Sequence, residues 1–96
     1  LYDILQHKEM REKFIEAHEL IKEADQRTSK KQYSEAIDLL KKALLINPDE
    51  ALAYNNLASI YYSRKEKEEA KKYMKRAVEL DPLNKRYQKN LRTIDK

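Results

Sequence analysis

Residues Ala51–Asn84 read ALAYNNLASIYYSRKEKEEAKKYMKRAVELDPLN, and the second half of this stretch echoes an earlier segment. KKALLINP, from Lys41 to Pro48, returns as KRAVELDP, from Lys75 to Pro82, at a constant offset of thirty-four residues. The same offset pairs Glu35 with Glu69, Ala36 with Ala70, Leu40 with Met74, Ala43 with Ala77, Leu44 with Val78 and Ile46 with Leu80. A period of roughly 20 to 50 residues marks stacked supersecondary units, none of which buries its apolar face alone. Two helical patterns follow one another inside the stretch. Tyr54, Leu57, Ala58 and Tyr61 share one face of the first, and Ala70, Met74 and Ala77 share one face of the second.

Composition narrows the class. The 96 residues suit one domain, and helix pairs that share faces offset the modest burial open to so short a chain. With no Gly and only 2 Pro, neither a sheet built on tight turns nor a disordered linker fits. The absence of Cys excludes a disulfide framework, a thiol nucleophile and thiolate metal sites, and accords with a cytoplasmic location. No apolar run is long enough for a membrane span or a secretory leader. Because the first residue is Leu1, the chain reads as a piece excised or processed from a longer protein.

Working outward, residues 3–28 read as one long amphipathic helix with Asp3 as its N-cap and an apolar stripe of Met10, Phe14, Ala17, Ile21 and Ala24. An acidic stripe runs beside it through Glu9, Glu12, Glu16, Glu19 and Glu23. Interleaved Lys8, Lys13, Lys22 and Arg27 supply same-helix partners, so a solvated face is expected there and not a cation site. A loop is expected at Thr28–Lys31, then a helix over 33–46 stopped by Asn47-Pro48. Further helices are expected over 50–63 and 67–80, the latter stopped by Asp81-Pro82. Asn84 caps a fifth through Ile94.

The order large aromatic, Leu, small, aromatic, Ala, large apolar, Ala, Pro, carried by Tyr54, Leu57, Ala58, Tyr61, Ala70, Met74, Ala77 and Pro82, resembles the tetratricopeptide repeat. The likeness is close over 51–84 and partial over 17–50. Tyr54 stands where Trp is common, Ala58 where Gly is preferred, and Lys65 where the turn usually has Gly. In the upstream unit the offset puts Glu23 and Arg27 where Leu57 and Tyr61 stand. A longer leading helix and a few extra residues near Arg27–Gln32 are therefore expected. The resemblance implies an all-α fold, a right-handed α-solenoid of antiparallel helix pairs. It would hold about two repeat units plus a C-terminal capping helix, with an elongated N-terminal helix. As one domain over 1–96, it divides into a long helix and loop (1–32), the second helix of the first repeat (33–48), a second repeat (51–84) and the capping helix (85–96).

Catalysis finds little to use. His7 and His18 lie eleven residues apart, or about 16 Å along one helix, too far to share a metal ion. No Gly-rich phosphate loop, His-Glu-x-x-His pair or nucleophile elbow occurs, and Ser34, Ser59 and Ser63 have no activating context. A non-enzyme is expected, with no metal, cofactor, small-molecule substrate or membrane partner. Residues 64–96 hold 12 Lys/Arg against 6 Asp/Glu, and residues 1–63 hold 9 against 11. A basic end steers acidic partners, yet Glu66, Glu68 and Glu69 interrupt it and no RNA-binding signature accompanies it. Nucleic acid ranks behind protein as a partner.

The resemblance also implies a concave groove lined by the first helix of each pair, where peptides or partner helices bind. Carried onto this chain, the groove face is Leu52, Asn55, Ser59, Tyr62 and Ser63, with Arg86 and Lys89 on the next helix. Asn56 matches an asparagine with which co-chaperone members grip a peptide backbone or its terminal carboxylate. Those clamp members also place Lys and Asn on the first helix and Lys and Arg on the third. Here those positions read Ile21, Asp25, Arg86 and Asn90, so an acidic-tail clamp is not expected. Leu52 and Tyr62 are expected to face away from the Tyr54/Leu57/Tyr61 core as apolar anchors. The expected function is a non-catalytic protein–protein interaction module. The alternative is a homodimer, formed through Leu1, Ile4 and Leu5 or through the exposed ends.

Overall fold

A computed structural model describes residues 2–96, with side chains described from Gln6 onward. The cap expected of Asp3 and the docking role expected of Leu1, Ile4 and Leu5 lie outside the described side chains. Five helices run in sequence: α1 (Tyr2–Ser29), α2 (Tyr33–Ile46), α3 (Ala51–Ser63), α4 (Lys67–Leu80) and α5 (Lys85–Asp95). There is no strand among the described residues, and the whole is an all-α helical-repeat solenoid.

Local chemistry sets the ends. α2 and α4 stop at Asn47 and Asp81, whose amides still reach the carbonyls of Ala43 and Ala77, because Pro48 and Pro82 follow and cannot continue a helix. Asn84 starts α5 by accepting the Tyr87 amide on its side-chain oxygen at 3.1 Å. Lys71 Nζ then ties the far end of α5 back to α4 through Asp95 Oδ1 at 2.6 Å.

The turns inside the two helix pairs match each other. Lys31 and Lys65 both adopt the left-handed conformation, at φ 60° and 63°. In the first turn the Gln32 amide donates to the Arg27 carbonyl and Lys31 to Thr28; in the second, Glu66 donates to Tyr61 and Lys65 to Tyr62. This is the paired C-terminal bonding that usually selects glycine, executed twice with lysine. The extra residues expected near Arg27–Gln32 are therefore absent, and the first pair keeps the repeat's register through its turn. Glu23 and Arg27 stay polar for another reason. They pair with each other at 3.7 Å, and Arg27 reaches Glu35 of α2 at 3.4 Å, along an edge of α1 and α2 that no preceding helix pair covers among the described residues, whereas their equivalents Leu57 and Tyr61 pack on the preceding helix pair.

α1 has 28 residues and α2 only 14, so at 1.5 Å per residue α1 runs roughly 20 Å past its partner. The stripe expected to be core splits at this point. Ala17, Ile21 and Ala24 are buried, while Met10 and Phe14 are 68% and 50% exposed because α2 ends at Ile46, which alone of its residues lines a notch with them.

Two apolar clusters make the core. One joins Ala17, Ile21 and Ala24 to Ile37, Leu40, Leu57 and Ile60; the other joins Ala58, Ala70, Met74 and Ala77 to Tyr87 and Ile94. α3 serves both, so it is buried on nearly every side, at Ala53, Asn55, Leu57, Ala58 and Ile60. Tyr61 and Tyr73 pack against both clusters, with ring centroids 5.4 Å apart and planes 14° from parallel.

A non-glycine residue in the left-handed region costs about 1–2 kcal/mol, of which glycine's greater unfolded-state freedom returns about 0.5–1. Lys31→Gly and Lys65→Gly should each raise stability by about 0.5 kcal/mol, read as a Tm gain of about 2–4 °C per site in thermal unfolding. A fall in Tm at either site would contradict the shared turn geometry.

Candidate functional site

The first helices of the successive pairs, α1, α3 and α5, form one row, and a chain of side-chain hydrogen bonds crosses it. Asn90 of α5 donates from Nδ2 to Asn55 Oδ1 of α3 at 3.0 Å. Asn55 donates in turn to Asn56 Oδ1 at 3.2 Å, and Asn56 donates to Asp25 Oδ1 of α1 at 3.0 Å. Helical geometry accounts for the meeting. Asn55 and Asn56 are adjacent on α3 and point to its two flanks, so one reaches α5 and the other α1.

Asn55 is only 3% exposed, and its side-chain oxygen and nitrogen are both engaged. An amide buried without partners would cost about 1–3 kcal/mol, so the Asn90 and Asn56 contacts are what make its position tenable. One turn further along α3, the Ser59 hydroxyl donates to the Asn55 carbonyl at 3.1 Å. Ser59, Tyr62, Asn90 and Thr93 then rim a cavity of about 90 Å³ floored by Met74 and Ile94. Tyr62 is exposed. At the α1 end, burial raises the carboxyl pKa of Asp25 above its ordinary value.

Of the eight residues expected on the groove, Asn55, Asn56, Ser59 and Tyr62 lie together on this row. Leu52 is half-buried and packs against the first apolar cluster, so it is not an open anchor. Ser63, Arg86 and Lys89 are exposed, and Arg86 precedes Asn90 by one helical turn. Asp25, Asn90 and Thr93 were not counted among the groove residues. The repeat offset does carry a signal for one of them, since Asn56 and Asn90 occupy equivalent positions.

Four of the twelve basic residues of 64–96, Arg64, Lys71, Lys72 and Arg76, are engaged away from this row. Arg64, Lys72 and Arg76 stand 5.8, 5.6 and 5.9 Å from the ring centres of Tyr61, Tyr73 and Tyr54. Arg64 and Arg76 also pair with Glu66 and Glu79. Among the described residues no group of three His, Cys, Asp or Glu side chains is placed to hold a metal ion, and no helix is long and apolar enough to cross a membrane.

A stack of helix pairs with matched turns, small residues at the close contacts and a polar inner row defines a helical-repeat protein. The tetratricopeptide repeat family model matches residues 27–93, and the chain belongs to that family. Among solved structures it is similar to the TPR domain of Sgt2 from Aspergillus fumigatus, at 29% identity and a TM-score of 0.78, covering 82% of this chain and 52% of that one. The second TPR of Spaghetti (RPAP3), solved bound to the HSP90 peptide SRMEEVD, superposes at a TM-score of 0.83 with 21% identity, over 90% of this chain and 79% of that one. YrrB, described as a TPR protein with an unusual peptide-binding site, gives 0.78 at 24% identity, over 97% of this chain and 45% of that one. This chain thus spans about half the length of the Sgt2 and YrrB chains. No curated protein sequence matches it.

Replacing Asn55 with alanine strands the Asn90 amide against α3. We expect a loss of about 1–3 kcal/mol, and a smaller loss when Asn55→Ala is made on an Asn90→Ala background. Chemical denaturation of the four proteins of this cycle measures it. Additive losses would mean the two amides do not depend on each other.

Proposed function

We propose that the chain is a non-catalytic protein-interaction module that holds a peptide or a partner helix along the row formed by α1, α3 and α5. The observation that carries this is the hydrogen-bonded amide chain from Asn90 to Asp25, with Ser59, Tyr62 and Thr93 beside it. Polar groups already fixed by one another lose little freedom when a peptide backbone replaces water over them. Tyr62 supplies exposed aromatic area next to these groups, and aromatic anchors carry a large share of binding energy in such sites. Ser63, Arg86 and Lys89 flank the row, and Asn56 stands at its centre. Leu52 props α3 against the first cluster and contributes to the row's shape more than to contact. The peptide-bound RPAP3 domain shares the fold, which supports the reading without supplying the ligand.

Tyr62→Ala should weaken binding of peptides selected by the wild-type protein from a hexapeptide array by about five- to tenfold, since anchor truncation commonly costs 1 kcal/mol or more. Its Tm should move by no more than about 2 °C, as expected of an exposed side chain. Unchanged binding would contradict the proposal, and so would a Tm loss large enough to explain the weakening.

A second reading, self-association, is favoured by one observation. Met10, Phe14 and Ile15 are exposed on the part of α1 that outruns α2, and Met10 and Phe14 join Ile46 around a notch of about 250 Å³. A second copy covering this face would make the sedimentation coefficient rise over a hundredfold concentration range in wild-type protein and stay constant in Phe14→Glu. Concentration-independent sedimentation of the wild type removes this reading.

A further inference from the structure

We infer that the inner row selects a peptide carrying a lysine or arginine, whose cation seats on Asp25, in preference to an acidic tail. The inference rests on the groove reading above and gives that groove a ligand chemistry.

Three hydrogen bonds cross the row in one sense. At each of them an Asn Nδ2–H donates toward α1, and the last acceptor is a carboxylate. The chain therefore ends in negative charge at its α1 end. No Lys, Arg or His among the described residues forms an ion pair with Asp25. The nearest candidate in sequence, Arg27, is held by Glu23 at 3.7 Å, Glu35 at 3.4 Å and Gln32 at 3.3 Å. Partial burial pushes the Asp25 carboxyl pKa up, with no cation acting against that rise. Asn56 occupies one acceptor direction of a carboxylate that offers about four, which leaves room for an ammonium or a two-pronged guanidinium.

The same geometry disfavours an acidic ligand at this end of the row. A peptide carboxylate laid there meets a like charge, and such a juxtaposition works against the wrong partner more strongly than a missing contact does. Arg86 and Lys89, the exposed cations that flank the row, stand on α5 at its opposite end from Asp25, while Arg64, Lys72 and Arg76 lie over tyrosine rings and Lys71 pairs with Asp95. Packed helices lie about 8–10 Å apart, so the path from α1 to α5 is roughly 16–20 Å, the span of five or six extended residues.

The probe is a positional-scanning array of hexapeptides, acetylated and amidated so that only side chains carry charge. Wild-type protein should bind peptides with Lys or Arg at one position about fivefold better than those with Glu there, the sum of one exposed attraction gained and one like-charge contact avoided. Asp25→Asn keeps an oxygen for the Asn56 amide and should shrink that preference to about twofold or less. Asp25→Lys should invert it toward Asp and Glu. If the wild type binds array peptides and Asp25→Asn keeps the same charge preference, this inference falls while the groove reading stands. An acidic preference in the wild type also overturns it. If no array peptide binds the wild type, the groove reading fails and this inference goes with it.

Discussion

Two nearly parallel tyrosine rings, Tyr61 of α3 and Tyr73 of α4, lie where the two apolar clusters meet, and Tyr54 continues the stack with its centroid 6.2 Å from that of Tyr73. The α1–α2 and α3–α4 pairs share the first cluster through Ala53, Leu57 and Ile60 of α3, while Ala58, one residue from Leu57, belongs to the second, and the rings line the seam between the two. Aromatic area buried in this arrangement brings both hydrophobic gain and a preferred ring geometry, so it fixes the orientation of α3 against α4 as well as their proximity. The cations above the three rings close the outer edge of the stack. Three of the twelve Lys and Arg residues of 64–96 thus lie over aromatic surface.

The inner row depends on that orientation. Asn90 and Asn55 are thirty-five positions apart, and they meet because α4 sets α5 beside α3. Fully buried alanines at positions 24, 36, 58 and 70 keep the backbones close enough for short side chains to bridge neighbouring helices. A larger residue at Ala58 would push α4 outward and carry α5 with it, taking Asn90 out of reach. Core packing and the polar face are one geometric problem here.

How far the sequence discloses this arrangement varies with the range of the interactions involved. The ends of α2 and α4 were legible because proline acts on its own neighbours, and the start of α5 because Asn84 caps within three residues. The solenoid itself was legible from the recurring offset. The environment of Asn55 was not, since nothing near it in the chain reveals that Asn90 will cover it. The exposure of Met10 and Phe14 was hidden for a similar reason: periodicity identifies the correct face of α1 but says nothing of where the neighbouring helix stops. Glu23 and Arg27 suggested an insertion because polarity at core-equivalent positions looks like a shift of register. In the structure both residues sit along the α1–α2 edge that no preceding pair covers among the described residues, with Arg27 paired to Glu23 and Glu35.

The two lysine turns carry an implication for arrays of this unit. Helical repeats accumulate free energy link by link, each unit adding its own term and one interface. A backbone penalty that sits inside the repeating unit therefore scales with copy number, as the interface gain does. Longer stacks of this sequence would not dilute the left-handed lysine; they would multiply it. The margin by which each added pair is worth folding is then set partly at a surface turn, far from the core to which such margins are usually credited.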